Sequence, residues 1–145
     1  MQLVHIISVG KNGGTNIIQK YYNYLLIYEK LNIDYHLIVL CSLDTDISNF
    51  KHPNISFLHF KTSSDRCFLK RLWLQAIEAL QSTLEHLKFT HIILRVDFID
   101  KTIFNFVNKY KPILEYPTPP IEKTSIDRPL YHQLAIKYNQ NALEK

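Results

Sequence analysis

The chain has 145 residues, 46% of them hydrophobic and 21% charged, with a formal net charge of +4. That length suits one domain with a real core, and the apolar content excludes a disordered tail. Cys41 and Cys67 stand at no metal-ligand or redox spacing, which argues against a disulfide framework and fits a reducing cytoplasm.

Leu3 to Val9 (LVHIISV) is a short, nearly continuous apolar run of the kind buried on both faces of a parallel sheet. Gly10-Lys11-Asn12-Gly13-Gly14-Thr15-Asn16 follows it, then a helical pattern carried by Ile17, Ile18, Tyr21, Tyr22, Leu25, Tyr28 and Leu31, with Thr15 or Asn16 as its N-cap. Tyr35 to Leu40 predicts a second buried strand. The polar stretch from Cys41 to Asn54 reads as a connection, and Ile55 to Phe60 as a third strand.

Ser63, Ser64 or Asp65 caps a long helix expected from about Arg66 to Lys88, with Leu69, Leu72, Trp73, Ala76, Ile77, Leu80, Leu84 and Leu87 as its core stripe. His91 to Val96 is a fourth strand. Asp100 precedes a short amphipathic helix through Ile103, Phe106 and Tyr110, and Pro112 to Tyr116 is a short fifth strand. The prolines at 117, 119 and 120 stop both helix and central strand. A terminal helix is expected from about Arg128 to Leu143.

Strands alternating with helices predict an α/β fold: a parallel sheet of about five strands with helices on both faces. Right-handed crossovers favour the strand order 3-2-1-4-5.

All three glycines, Gly10, Gly13 and Gly14, fall in one five-residue window between the first strand and the first helix. Glycine lets a ligand approach bare backbone, and the helix behind it aims free N–H groups and its positive end at the same spot. No Gly-Lys-Ser/Thr closes the loop, and the spacing is G-x-x-G-G, so neither a Walker A loop nor the dinucleotide fingerprint is present. The loop is either ligand-facing or a tight turn.

A second constellation, Arg95 and Asp97 with Glu115, Tyr116, Pro117 and Thr118, sits at or just past the carboxyl ends of strands four and five, on the same expected edge as the glycines. A buried arginine is costly unless paired, and Arg95 and Glu115 on neighbouring strands are placed to pair, as a ligand-facing couple or as a structural brace. His5, His36 and His59 fall inside strands and read as core or face residues. No HxxxH or HExxH pair is present, and no metal site or cofactor is expected.

Tyr21, Tyr22, Tyr24 and Tyr28 follow the first helix and read chiefly as packing residues. Arg66, Lys70 and Arg71 beside Phe68 and Trp73 fit an ordinary amphipathic helix, and no nucleic-acid partner is expected. Glu29, Asp34, Asp44 and Asp46 balance Lys11, Lys20, Lys30 and Lys51 over residues 1–60, so the positive surplus lies downstream, where a membrane surface or an anion is able to use it. No stretch reaches the roughly 18 apolar residues of a membrane span, and no basic residue precedes the first apolar run, so no span and no secretory leader are expected.

The segment GKNGGTNIIQKYYNYLLIYEKLNIDYHLIVL resembles the first βαβ unit of glycosyltransferase family 4 enzymes, in which a Gly-Gly loop opens a helix. HIILRVDFIDKTIFNFVNKYKPILEYPTPPIEK is similar to the family pattern of an arginine ending strand four and Glu-x-Pro-Thr-x-Pro ending strand five, followed by an acid. The matching positions are Arg95, Glu115, Pro117, Thr118, Pro119 and Glu122, with Pro119 directly after Thr118 where the family has an aromatic.

The resemblance implies that residues 1–145 form the N-terminal, acceptor-side, Rossmann-like domain of a GT-B glycosyltransferase of polysaccharide synthesis, with the C-terminal donor-binding domain absent and no turnover alone. Gly13, Gly14, Thr15 and Asn16 would lie at the acceptor or donor phosphate, and Arg95, Glu115 and Thr118 would line the cleft. No catalytic base is named. The implied partners are a saccharide or lipid-linked acceptor and, through a separate C-terminal domain, a nucleotide sugar. The implied location is cytoplasmic, with peripheral contact at the inner membrane surface. A non-catalytic saccharide- or partner-binding module is the alternative, and an unrelated small nucleotide-binding α/β protein a third.

Overall fold

The computed structural model describes residues 2–9, 14–60, 68–96 and 101–115. The elements run β1 (Gln2–Ser8), α1 (Gly14–Lys30), β2 (Asp34–Ser42), β3 (Ile55–Phe60), α2 (Phe68–His86), β4 (His91–Arg95), α3 (Lys101–Tyr110) and β5 (Ile113–Glu115). The strands form one sheet in the order β3-β2-β1-β4-β5, every pair parallel. This is the expected α/β architecture. The proline patch and the expected terminal helix at 128–143 lie outside the described residues.

Side-chain parity divides the core into two layers, because successive residues of a strand point to opposite faces. Val4, Ile6, Ile38, Leu40, Ile92 and Leu94 pack with Ala76, Leu80 and Leu84 of α2 and Ile103 and Phe106 of α3. Ile7, Leu37, Val39 and Cys41 pack on the other face with Ile18, Tyr21 and Leu25 of α1. With helices on both sides, β2 is buried along nearly its whole length, which is why Leu37 to Cys41 is an unbroken apolar run.

Most element ends differ from the sequence expectation by a residue or two, and two of these shifts have identifiable reasons. β2 continues through Cys41 and Ser42 because β3 offers them partners in His59 and Phe60. α1 begins at Gly14, so Thr15 and Asn16 are exposed residues of its first turn and neither is the N-cap. Gly14 is buried, and a Cβ there would lie 3.3 Å from the Val9 Cβ. The absence of a side chain therefore lets the helix start tight against the end of β1.

The β2–β3 connection holds no helix. Turn bonds from Thr45 N to Ser42 O and from Phe50 N to Ile47 O, each 3.0 Å, shape it, and Phe50, 3% exposed, joins the α1-side core where a helix would otherwise lie.

α1 and α3 both end with a non-glycine residue at positive φ, Asn32 at 53° and Lys111 at 47°. Asparagine tolerates this left-handed region; lysine pays a steric penalty there. The Lys111 amide donates to the Val107 carbonyl at 2.8 Å, a bond that glycine at 111 would keep. Lys111→Gly is therefore expected to raise stability by up to about 1 kcal/mol, read as a higher urea midpoint at unchanged slope.

Candidate ligand site at the carboxyl edge

In a parallel sheet all strands end at one edge. Here that edge carries Val9 and Gly14 after β1, Arg95 and Val96 at β4, and Glu115 at β5. The chain leaves β1 toward β2 and β3 on one side and returns to place β4 and β5 on the other, so β1 and β4 flank the point where the direction of winding reverses. Ligands of open α/β sheets bind beyond the carboxyl ends at that point. Gly14 and the Arg95/Glu115 region thus lie at the same rim. Gly10, Gly13, Asp97, Tyr116, Pro117 and Thr118 lie outside the described residues; Thr15 and Asn16 are exposed on α1.

Arg95 and Glu115 are direct register partners, and the Val96 amide donates to the Glu115 carbonyl at 3.0 Å. The Glu115 carboxylate, however, is held by residues whose sequence pattern is that of core and packing positions. His5 Nε2 lies 2.9 Å from Oε2, and the Tyr21 hydroxyl donates to Oε1 at 2.6 Å. Behind His5, its Nδ1 meets the Tyr35 hydroxyl at 3.0 Å. Four elements, β1, α1, β2 and β5, therefore contribute to one continuous hydrogen-bonded cluster. The Arg95 guanidinium stands 6.0 Å from the Tyr21 ring centroid, and the Lys20 ammonium 5.1 Å from the same ring, both within cation–π range.

His5, Tyr21, Tyr35 and Arg95 are buried, whereas the Glu115 side chain is 31% exposed. Burial pushes His5 down to about 4, outweighing the neighbouring Glu115 carboxylate, which pulls the other way; the ring is neutral at pH 7. Burial also raises the Tyr21 hydroxyl, aided by its bond to Glu115, and raises Tyr35, so both phenols keep their protons. The cluster is thus a set of neutral donors gathered on one carboxylate that faces the rim. A signal for it existed in the sequence. His5 interrupts an apolar strand at the parity of Leu3 and Ile7, the face that α1 covers, and once the register is known, Arg95 and Glu115 share that parity.

The other polar groups inside the sheet do not converge on a site. His36 Nε2 and Ser56 Oγ pair at 2.8 Å, with burial lowering the His36 pKa. Cys41 Sγ and His59 Nδ1 stand 3.5 Å apart, and burial pushes the thiol up to about 11, away from a reactive thiolate. Among the described residues no group of histidines, cysteines or acids is placed to hold a metal ion, and no helix is long and apolar enough to cross a membrane.

The close approach of Gly14 to β1 is testable. Valine there would place its Cβ 3.3 Å and 3.4 Å from Val9 Cβ and Cγ2 and bring its methyls toward Thr45, already 4.0 Å from that Cβ. Gly14→Val should lower stability by about 1–3 kcal/mol through overpacking, measured by urea unfolding.

Sheet order, strand direction and the helices on both faces define a Rossmann-like α/β domain. Two solved structures of the C-terminal domain of a hydrogenase from Pyrococcus furiosus, comprising its residues 83–215 and 78–226, share this fold. They superpose with TM-scores of 0.53 and 0.52 at 10% and 12% identity, each covering 79% of this chain, and 90% and 89% of those chains respectively. At that identity the likeness is one of fold. No protein-family model and no curated protein sequence matches the chain.

Proposed function

We propose that this domain is the acceptor-side, Rossmann-like half of a glycosyltransferase, binding a saccharide or lipid-linked acceptor in the crevice at the carboxyl edge of its sheet. The supporting observation is the meeting, at the winding reversal between β1 and β4, of two unlike binding elements. One is the start of α1, packed tight on Val9 through Gly14, where free amides and the helix dipole favour an anionic group. The other is the Arg95/Glu115 pair on β4 and β5, whose carboxylate suits hydroxyl donors. An anion-favouring wall beside a hydroxyl-favouring wall fits a crevice where a sugar acceptor meets a donor phosphate. In this reading a second domain carrying the nucleotide sugar faces the crevice, and sugar transfer needs both.

Isothermal titration of the full chain with a panel of methyl glycosides and short oligosaccharides, and separately with UDP, tests the reading. Saccharide binding without nucleotide is the expected result. Tight UDP binding with no response to any saccharide would overturn it.

A further inference from the structure

We propose that Glu115 is a hydroxyl-accepting anchor at the rim, held in place by Tyr21 and by a one-way hydrogen-bond chain running from Tyr35 through His5. The idea rests on the crevice being the ligand site, and it specifies what Glu115 recognises and which buried residues position it.

The direction of the chain follows from proton counting. A neutral imidazole has one N–H and one lone pair. If the proton sat on Nδ1, the Nε2 lone pair would face the Glu115 carboxylate at 2.9 Å with no hydrogen between them. With the proton on Nε2, that nitrogen donates to Oε2, and Nδ1 is free to accept from the Tyr35 hydroxyl 3.0 Å away. Tyr21 donates to the other oxygen. Every group is satisfied, and every bond points toward the carboxylate. Hydrogen bonds to an ionised acceptor are about twice as strong as neutral ones.

The carboxylate remains unsaturated. Its oxygens offer about four lone-pair directions; Tyr21 and His5 take two. With the side chain 31% exposed, the remaining directions are available toward the rim. A carboxylate held in this way accepts hydrogen bonds and repels anions, and the Arg95 guanidinium and Lys20 ammonium, 6.0 Å and 5.1 Å from the Tyr21 ring, disfavour a further cation, so the ligand it suits is a neutral hydroxyl donor. His5 and Tyr35, screened from the rim, are positioning residues.

The full 145-residue chain, labelled with nitrogen-15, provides the test. At pH 7 the His5 ring should show the Nε2–H tautomer, and Tyr35→Phe, which removes the donor to Nδ1, should mix the two tautomers while leaving the fold intact. Titrated with methyl glycosides of glucose, galactose, mannose and N-acetylglucosamine, the protein should bind at least one, and Glu115→Gln should weaken that binding by about tenfold or more. Tyr35→Phe should weaken it by a smaller factor, and inorganic phosphate should not compete at the Glu115 position. An Nδ1–H tautomer in the unaltered protein would overturn the proposal whatever binds. Glycoside binding unchanged in a folded Glu115→Gln variant would overturn it while leaving the glycosyltransferase reading standing. Failure of the unaltered protein to bind any glycoside of the panel would overturn the anchor, and the same failure with oligosaccharides alongside tight UDP binding would overturn both.

Discussion

Lowering the pH from 7 to 4 should remove about 3 kcal/mol of stability through His5 alone, as the roughly 1.4 kcal/mol per pKa unit of linkage applied to its shift. The folded chain keeps His5 neutral until about pH 4, whereas an unfolded histidine takes its proton near 6.5. Between those values the unfolded state binds more protons, so stability rises with pH through that window. It is fully present above about 6.5 and is lost as the pH falls toward 4.

Burial is the principal cause. Glu115 opposes it, and Arg95 and Lys20 reinforce it. The protonated ring has no lone pair for the Tyr35 hydroxyl, so the Nδ1 bond must reverse, with Nδ1–H donating to the Tyr35 oxygen. Urea midpoints at pH 7 and pH 4.5 measure the loss, and the His5 ring-proton shift should titrate with an inflection well below 6. An inflection near 6.5 would show that the ring is solvated and that the cluster does not hold it.

Leu80→Ala should cost about 2–5 kcal/mol. Leu80 is fully buried on α2 within the layer that joins Val4 and Ile6 of β1, Leu94 of β4, and Ile103 and Phe106 of α3. Truncation removes its transfer energy and leaves a cavity that the parallel strands cannot collapse to fill, since each is locked to its neighbours by the ladder. The exposed neighbour Glu78 provides the control; Glu78→Ala should fall within about 0.5 kcal/mol of the unaltered chain. Chemical denaturation of both variants separates core burial from helix propensity, because both substitutions place alanine at interior positions of α2.

The fold was legible because its signals are periodic. Apolar runs in β1, β2 and β4 and the stripe of α2 from Ala76 to Leu84 each report burial directly, and the rule of right-handed crossovers orders the strands. Cap propensity favours Thr15 and Asn16, yet α1 starts at Gly14, packed close against Val9, because a tertiary approach outweighs local propensity.

The rim was legible in part. Arg95 and Glu115 stand at strand ends, where polar residues are conspicuous. His5, Tyr21 and Tyr35 were not read as members because local sequence does not show which buried polar side chains meet. His5 and Tyr35 are 30 residues apart, and Tyr21 and Glu115 are 94 apart. Only the sheet order brings them together, and a histidine inside an apolar strand looks the same whether it ends in a carboxylate or a backbone carbonyl.

The position of β1 at the centre of the sheet also orders assembly in time. Its β2 side is closed by partners about 32 residues away, such as Leu3 with Tyr35, whereas its β4 side waits for partners 88 residues on, such as Leu3 with His91. Closing the longer loop carries more chain entropy before any contact rewards it. The amides of β1, α1, β2 and β3 are therefore expected to acquire protection first when refolding is sampled by pulsed hydrogen exchange. The His5–Glu115 bond, which spans both halves, should form only with the last event.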